Sequence, residues 1–189
     1  TILRLLPRSA TVDSGSIRFA GVELLRLGEA EMVGYRGRRI GMIFQEPAAA
    51  LNPLMKLGRQ LCEPLKVHYR LTRQEAERRL FEVLEAVGID DAVPRLQMYP
   101  HEVSTGQLQR ALLAAAVACR PELLICDEPL AAVDPPNRRR TLDLLESLRE
   151  RYRFSILLIS HDLQILNHVC DQVVSMPEGC GSKVAGGLG

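Results

Sequence analysis

Short apolar runs alternate with amphipathic segments along most of this chain. The run at residues 123–126 lies between Pro121 and Pro129 and is typical of a strand buried on both faces of a parallel sheet. The runs in "RRIGMIF", "FSILLIS" and "CDQVVSM" predict further strands, and we expect "FSILLIS" to be buried as well. Two short β-type runs in "GSIRFAGVEL" predict a hairpin near the amino end.

Helical spacing of apolar residues distinguishes the other segments. Residues 51–87 repeat leucine and valine at helical intervals, with charged residues on the opposite face, and predict a helical insert. A long helix is expected from Ser104, which precedes Gln107 with the spacing of a capping box. Residues 137–153 predict an amphipathic helix that follows two prolines. The opening "TILRLLP" is typical of the end of a helix.

Strands that alternate with helices predict an α/β fold with a mainly parallel sheet, because parallel neighbours need a long crossover connection. The predicted hairpin precedes this sheet, and the helical insert interrupts it after the strand in "RRIGMIF". Residues 177–189 are rich in glycine and lack any periodicity. We expect them to form a loose tail.

Composition narrows the class of protein. The chain has 189 residues, of which 47% are hydrophobic and 25% charged, as in a globular protein with a buried core. The formal net charge of +1 provides no field that would attract nucleic acid, so we expect no nucleic-acid partner. The longest apolar stretch, residues 111–119, is too short to cross a bilayer. The 5 cysteines contain no C-x-x-C pair, which argues against a disulfide frame or zinc site and indicates a reducing compartment.

Two adjacent carboxylates, Asp127 and Glu128, follow the apolar run at residues 123–126. Ligands of open α/β sheets bind at the carboxyl ends of the strands, so this position suits an acid pair that acts on a ligand. A polar strand terminus that only meets solvent explains the same two residues. The acid pair by itself leaves both interpretations open.

Other polar residues stand at the ends of predicted elements. Ser104 and Gly106 begin a helix, where free backbone N–H groups and a partial positive charge suit a phosphate, although a plain helix cap is the commoner explanation. Gln45 follows the strand in "IGMIF", and His161 follows "FSILLIS". A parallel sheet would bring these strand ends to one edge, which favours a shared site.

The order of these motifs resembles that of the ABC-type ATPases. Gln45 in "FQEPAAALNP", then "YPHEVSTGQLQR", "LLICDEP", Asp134 and "ISHDL" are similar to that family's Q-loop, signature, Walker B, D-loop and H-switch. The resemblance covers residues 16–176. Two stretches, "IGMIFQEPAAALNPLMKLG" and "YPHEVSTGQLQRALLAAAVACRPELLICDEP", are most similar to the ATP-binding subunits of peptide and nickel importers.

The resemblance implies an α/β fold with a RecA-like P-loop NTPase core, a helical subdomain and a remnant amino-terminal β hairpin. The core with its hairpin would extend over residues 1–45, and the helical subdomain with the signature over residues 46–118. Residues 119–176 would complete the core with Walker B, the D-loop and the H-switch, followed by the loose tail at 177–189.

The resemblance also implies roles for the residues at the strand ends. Glu128 would be the general base that polarises the attacking water, and Asp127 would hold Mg²⁺ through water. Gln45 would contact the Mg²⁺ or the water and signal its state to a permease. His161 would contact the γ-phosphate of ATP. Phosphoryl transfer needs charge neutralisation and a placed water, which an acid pair of this kind supplies.

A second group of residues would act between two subunits. The resemblance implies that Ser104, Gly106 and Gln107 bind the ATP that a partner subunit holds, and that Asp134 orders the interface between the subunits. The partners would be a second ABC ATPase subunit, as a homodimer or heterodimer, and two transmembrane permease subunits. An extracytoplasmic substrate-binding protein would participate indirectly. The chain would lie on the cytoplasmic face of the membrane, with residues 51–71 contributing to the permease contact.

The sequence departs from the family pattern at several positions. The phosphate loop G-x-x-x-x-G-K-[ST] is not found, so the resemblance implies a sequence that begins just after this loop and binds ATP weakly by itself. Thr105 replaces a glycine of the family's "LSGGQ" and adds a Cβ where a backbone would approach. Leu130 and Ala131 occupy positions where hydroxyl residues are usual, although Asp134 is present.

Two other classes of protein share part of this pattern. A DNA-repair ATPase has similar signature and Walker B motifs, but it would need long heptad arms or a basic groove, and neither is found in the sequence. A non-catalytic module would keep the permease-docking face and the signature and hydrolyse nothing. Binding of Mg-ATP to the chain distinguishes this module from an ATPase.

Overall fold

A two-stranded antiparallel hairpin and a three-stranded parallel sheet make up the β-structure of the computed structural model, which describes residues 1–7, 9–131 and 133–176. The strands, in chain order, are β1 (Arg18–Phe19), β2 (Val22–Glu23), β3 (Ile40–Ile43), β4 (Leu123–Asp127) and β5 (Ser155–Ile159). The parallel sheet has the order β3-β4-β5, with β4 in the centre. The α/β fold class, the hairpin and the strands at β3, β4 and β5 are thereby confirmed.

Helices fill the connections between these strands. The α-helices of the described residues, in chain order, are α1 (Glu29–Val33), α2 (Leu57–Tyr69), α3 (Arg73–Ala86), α4 (Ala92–Leu96), α5 (Thr105–Ala118), α6 (Pro135–Tyr152) and α7 (Leu163–Val169). The predicted helical insert corresponds to α2 and α3, and Ser104 caps α5 through the predicted capping box. Helix α6 begins at Pro135, because proline fits the first turn of a helix, where no N–H donor is needed.

One apolar cluster joins the helical insert to the sheet. Helices α2, α3 and α5 pack on one another, and α5 also packs on β3. Leu61 and Leu65 of α2 are fully buried in this cluster, together with Leu84 of α3 and Leu124 of β4. Burial of such leucine side chains contributes about 1.5–3 kcal/mol each, which holds the insert firmly on the sheet.

The amino-terminal helix predicted from "TILRLLP" is wrong. Residues 1–4 form a turn, residues 5–7 are irregular, and Arg4 has a left-handed backbone conformation with φ of 54°. An isolated helix of this length is marginally stable, because its nucleation costs more free energy than its few hydrogen bonds contribute. Leu3 is instead buried in a small second cluster with Leu24, Ile40 and Ile125.

The carboxyl-terminal part of the described sheet also differs from the prediction. Strand β5 is half exposed rather than buried: alternate residues such as Leu157 and Ile159 face solvent, so one face of the strand is uncovered within the described residues. The strand predicted in "CDQVVSM" is not formed, and residues 171–176 are irregular. Within the described ranges no strand lies beside them, and an extended segment needs a neighbour to satisfy its backbone. The predicted tail, residues 177–189, lies outside the described residues.

The cysteines of the described residues differ in their burial. Cys62, Cys119 and Cys126 are buried and unpaired, and Cys170 is unpaired and half buried. Burial raises the pKa of Cys62 and of Cys119 to about 11, so these thiols stay protonated at neutral pH.

Among the helices of the described residues, none has both the length and the apolar character that a membrane span requires.

Gly58 allows helices α2 and α4 to approach each other closely. A Cβ at this position would lie 2.9 Å from both the Cβ and the carbonyl oxygen of Leu96. We expect Gly58→Ala to lower the free energy of unfolding by about 1–3 kcal/mol, as overpacking does, although alanine normally stabilises a helix. Urea unfolding checks this expectation.

Gly106→Ala is the matched control for Gly58→Ala, because a Cβ at Gly106 meets no atom within 4 Å. Its free energy of unfolding should stay the same or rise by up to about 1 kcal/mol. Equal stability changes in the two variants would contradict the close contact between α2 and α4.

Candidate functional site

The carboxyl ends of the parallel strands meet at one edge of the sheet. Ile43 of β3 pairs with Cys126 of β4, and Asp127 of β4 pairs with Ile159 of β5. Gln45, Glu128 and His161 each follow shortly after these pairs, so the chain leaves all three strands at the same edge. The predicted convergence of these strand ends is therefore observed.

Glu128 and His161 are in direct contact at this edge. The backbone N–H of His161 donates to Oε1 of Glu128 at 2.9 Å, and the Nδ1 atom of His161 lies 2.8 Å from the same oxygen. The backbone N–H of Glu128 donates to the carbonyl of Ile159 at 2.9 Å. Since Glu128 follows β4 and His161 follows β5, these bonds join the ends of two neighbouring strands.

The two side chains differ in their access to solvent. The side chain of Glu128 is 19% exposed, whereas that of His161 is 84% exposed. Both contacts of His161 reach Oε1 of Glu128. In the described part of the chain, no hydrogen bond reaches Oε2 of Glu128. The carboxylate is thus held on one oxygen and open on the other, an arrangement that can accept a proton from a water molecule.

Asp127 and Gln45 supply oxygen ligands beside this pair. Asp127 is half buried at the last position of β4, and Gln45 is exposed two residues beyond β3. Burial raises the pKa of the preceding Cys126 thiol to about 12, so that residue adds no charge next to the acids. Among the described residues, no three His, Cys, Asp or Glu side chains converge on a metal position. A magnesium ion usually takes one or two carboxylates and completes its shell with phosphates and water, which fits Asp127.

The predicted phosphate-binding residues form a second group at the start of α5. The backbone N–H of Gln107 donates to the hydroxyl of Ser104 at 3.3 Å, and the backbone N–H of Ser104 donates to the side chain of Gln107 at the same distance. Ser104, Thr105 and Gly106 are exposed. The helix start is therefore capped in the ordinary way and still open to a ligand.

Asp134 is exposed at the start of α6, and its carboxylate caps no backbone N–H. Across the described ranges, no hydrogen bond or ion pair joins Asp134, Ser104, Gly106 or Gln107 to the contact between Glu128 and His161. The predicted site residues therefore fall into two groups, one at the sheet edge and one at helix starts.

Two residues near the site were not predicted. The side-chain amide of Gln109, on α5, donates to the carbonyl of Pro129, directly after Glu128. Arg138, on α6, contacts both the carbonyl of Val133 and the carboxylate of Asp162, which follows His161. Helical periodicity cannot distinguish them from other polar residues of α5 and α6, and only their position in the folded chain reveals them.

Parallel strands that carry an acid pair and a histidine at their carboxyl ends, with a helical insert after β3, are the arrangement expected of the P-loop ATPase class of fold. The sequence profile of the family described as "ABC transporter" matches residues 1–131, and the chain belongs to this family. The resemblance drawn from the motifs is thereby confirmed.

Curated relatives within this family carry transport names. The chain is 43% identical over 180 residues to the probable peptide ABC transporter ATP-binding protein y4tR of Sinorhizobium fredii, a match that covers 95% of this chain and 54% of the relative. It is 41% identical to the oligopeptide transport ATP-binding protein OppD of Bacillus subtilis, over 94% of this chain and 50% of the relative. The chain spans about half the length of the curated relatives it matches.

Solved structures support the same fold. The chain is similar to a dimeric structure of MJ0796, described as a bacterial ABC transporter cassette, with a TM-score of 0.70 and 25% identity over 82% of this chain and 66% of that one. A second structure of MJ0796, described as a post-hydrolysis state bound to ADP and Pi, gives a TM-score of 0.69 at 25% identity over 81% of this chain and 65% of that one.

Proposed function

We propose that this chain is part of an ATP-binding subunit that hydrolyses ATP to power peptide import. The observation that carries the proposal is the contact between Glu128 and His161 at the ends of neighbouring parallel strands. Names of the relatives favour peptide transport over nickel transport, because y4tR and OppD are both named for peptides.

Glu128 is the proposed general base. Its Oε2 atom accepts a proton from the water that attacks the γ-phosphorus of ATP, the bond from that phosphorus to the bridging oxygen breaks, and ADP and phosphate leave. His161 holds Oε1 through its N–H group and its ring, which fixes the direction of the free oxygen. With most of its side chain exposed, His161 is also available to contact the γ-phosphate.

The other predicted residues complete this proposal. Asp127 would hold Mg²⁺ when the ion is bound, and Gln45 lies at the same sheet edge. Bound Mg²⁺ neutralises charge on the phosphates, and Mg²⁺ needs few protein ligands when phosphates are present. Asp134 is exposed at the start of α6, as its proposed contact with a second subunit requires.

A fusion tests the ATPase proposal directly. A segment of Bacillus subtilis OppD that carries a phosphate loop is joined ahead of Thr1, because no G-x-x-x-x-G-K-[ST] is found in the sequence of this chain. We expect Mg-dependent release of phosphate from ATP by the fusion. A folded fusion that binds ATP and releases no phosphate would contradict the proposal and favour the non-catalytic docking module.

For transport, we propose the arrangement of an ABC importer. Two ATP-binding subunits form a homodimer or heterodimer on the cytoplasmic face of the membrane and dock on two permease subunits, and an extracytoplasmic binding protein delivers the peptide. The relatives named for peptide transport support this arrangement, as does the dimer described for MJ0796.

The permease contact is proposed for residues 44–56, a shorter segment that overlaps the predicted residues 51–71 only at residues 51–56. Helix α2 directs Leu61 and Leu65 into the core, so the apolar surface lies mainly before the helix. Leu54 is 84% exposed in this segment. Gln60 of α2 fixes the segment, since its side chain accepts from the N–H of Asn52 at 2.7 Å and donates to the carbonyl of Met55 at 2.8 Å. Phe44 and the alanines at residues 48–50 of the same segment are exposed too, and apolar residues exposed together suit a protein partner.

We expect Leu54→Asp to weaken binding to the permease about tenfold or more, because a charge would be desolvated at the centre of the contact. Val67→Asp is the matched control, since Val67 is also exposed but lies near the other end of α2. Co-purification with membranes that contain the permease pair measures both variants. Equal binding of the two variants would exclude this surface.

A further inference from the structure

Glu128 has a backbone conformation that its surroundings must maintain. Its φ angle is 46°, in the left-handed region that residues with a Cβ rarely occupy. Such a conformation costs about 1–3 kcal/mol and persists only where neighbouring groups over-determine it. The bonds to Ile159 and His161 hold Glu128 from the side of β5. Other groups hold the turn that follows it.

Gln109 holds this turn from the side of α5. Its side chain is half buried, and its Nε2 atom donates to the carbonyl of Pro129, the residue directly after Glu128. Pro129 is buried, so its carbonyl gains little from solvent. The bond restrains the peptide group next to the strained residue, and a rigid helix carries the donor.

Arg138 holds the other end of the same turn. Its Nε atom donates to the carbonyl of Val133 at 3.3 Å, and its Nη1 atom lies 3.6 Å from Oδ2 of Asp162. The other carboxylate oxygen of Asp162 accepts from the N–H groups of Gln164 and Ile165 at 3.2 Å and so caps α7. Since Asp162 follows His161, a single guanidinium group links the turn after Glu128 to the turn that carries His161.

We propose that Gln109 and Arg138 are positioning residues that hold Glu128 and His161 in contact. Neither side chain bonds to Glu128 or His161, and each acts through a neighbouring carbonyl or carboxylate. Their effect on ATP hydrolysis rests on the proposed function, whereas their effect on the geometry does not. A measurement of the geometry in the chain itself therefore comes first.

Amide hydrogen exchange followed by NMR tests the geometry without nucleotide. The N–H group of Glu128 bonds to Ile159, and that of His161 bonds to Glu128. We expect Gln109→Met and Arg138→Met to speed exchange at both amides about 3- to 10-fold, the usual equivalent of one hydrogen bond. Exchange at Leu61 and Leu65 in α2 should stay unchanged, which shows that the fold is intact.

Matched controls carry the same chemical changes elsewhere. Gln74→Met alters an exposed glutamine at the start of α3, and Arg140→Met alters an exposed arginine on the helix that carries Arg138. Exchange at Glu128 and His161 should not change in either control. Unchanged exchange in both Gln109→Met and Arg138→Met would overturn the proposal, and a change in only one of them would remove the other residue from it.

Kinetics of the OppD fusion then test the consequence for hydrolysis. We expect Gln109→Met to lower kcat about 3- to 10-fold and to leave KM for ATP unchanged, because the residue acts on the base and not on nucleotide binding. In a Glu128→Gln background the same change should have a smaller effect, since both alter one group. A purely structural role would instead give equal effects in both backgrounds. If the unmodified fusion hydrolyses no ATP, the proposed function fails while the exchange result still stands.

Discussion

Replacement of Glu128 by glutamine in the OppD fusion should lower the turnover of ATP about 10²- to 10⁴-fold, the usual contribution of a general base. The glutamine side chain keeps the size of glutamate but cannot accept the proton of the attacking water. ATP should still bind, because this carboxylate contributes to the chemical step and not to the phosphate cradle. Phosphate release and equilibrium binding of labelled ATP measure the two effects separately.

Glu122→Gln is the control for that experiment. Glu122 lies just before β4, at the opposite end of the strand that leads to Glu128, and forms an ion pair with Arg39 at 2.6 Å. Loss of this half-exposed ion pair should cost little stability and leave turnover within about twofold of the unmodified fusion. If Glu128→Gln were as active as Glu122→Gln, Glu128 would not be the base.

The contact between Glu128 and His161 could be predicted from the sequence. Both residues follow apolar runs whose length and composition indicate strands. In a parallel sheet the carboxyl ends of neighbouring strands share an edge, so strand identity alone brings the polar residues after them together. The capping box of Ser104 was predictable for a similar reason, because both of its hydrogen bonds join residues within one helical turn.

Strand pairing was harder to predict than strand ends. The sequence of β5 is as apolar as that of a central strand. The exposure of its side chains depends on which segments of the folded chain cover its two faces. Residues 171–176 contain two adjacent valines and remain irregular, since no described strand lies beside them. Pairing partners are set by contacts between distant parts of a chain, which local patterns do not encode.

Gln109 and Arg138 show a second limit of sequence interpretation. The bonds to the carbonyls of Pro129 and Val133 each join a side chain to a backbone acceptor, and 20 residues separate Gln109 from Pro129. A backbone acceptor has no identity in the sequence, so no pairing of residue types indicates the bond. The strained conformation of Glu128, which gives these contacts their importance, appears only in the folded backbone.

The separation of the site residues has a consequence for assembly. In the described part of the chain, no hydrogen bond joins the start of α5 to Glu128 or His161. The resemblance to the ABC-type ATPases implies that Ser104 contacts the phosphate of an ATP held by a second subunit. The helix start offers only backbone N–H groups and a hydroxyl, which supply less affinity than a phosphate loop with its lysine. This chain should therefore complete a partner's site better than it binds ATP alone.

We expect this chain to increase ATP hydrolysis by an intact related subunit whose own signature has been disabled, and Ser104→Arg to abolish the increase. The longer, charged side chain would occupy the space that the γ-phosphate needs at the start of α5. Thr72→Arg is the matched control, because Thr72 also caps its helix through a capping box and its loss has a similar cost of about 0.5–2 kcal/mol. ATPase activity is measured as each chain is added to saturation, with dimer formation confirmed by sedimentation. An increase with Thr72→Arg and none with Ser104→Arg would assign the effect to the helix start, whereas equal increases would exclude Ser104 from the partner's site.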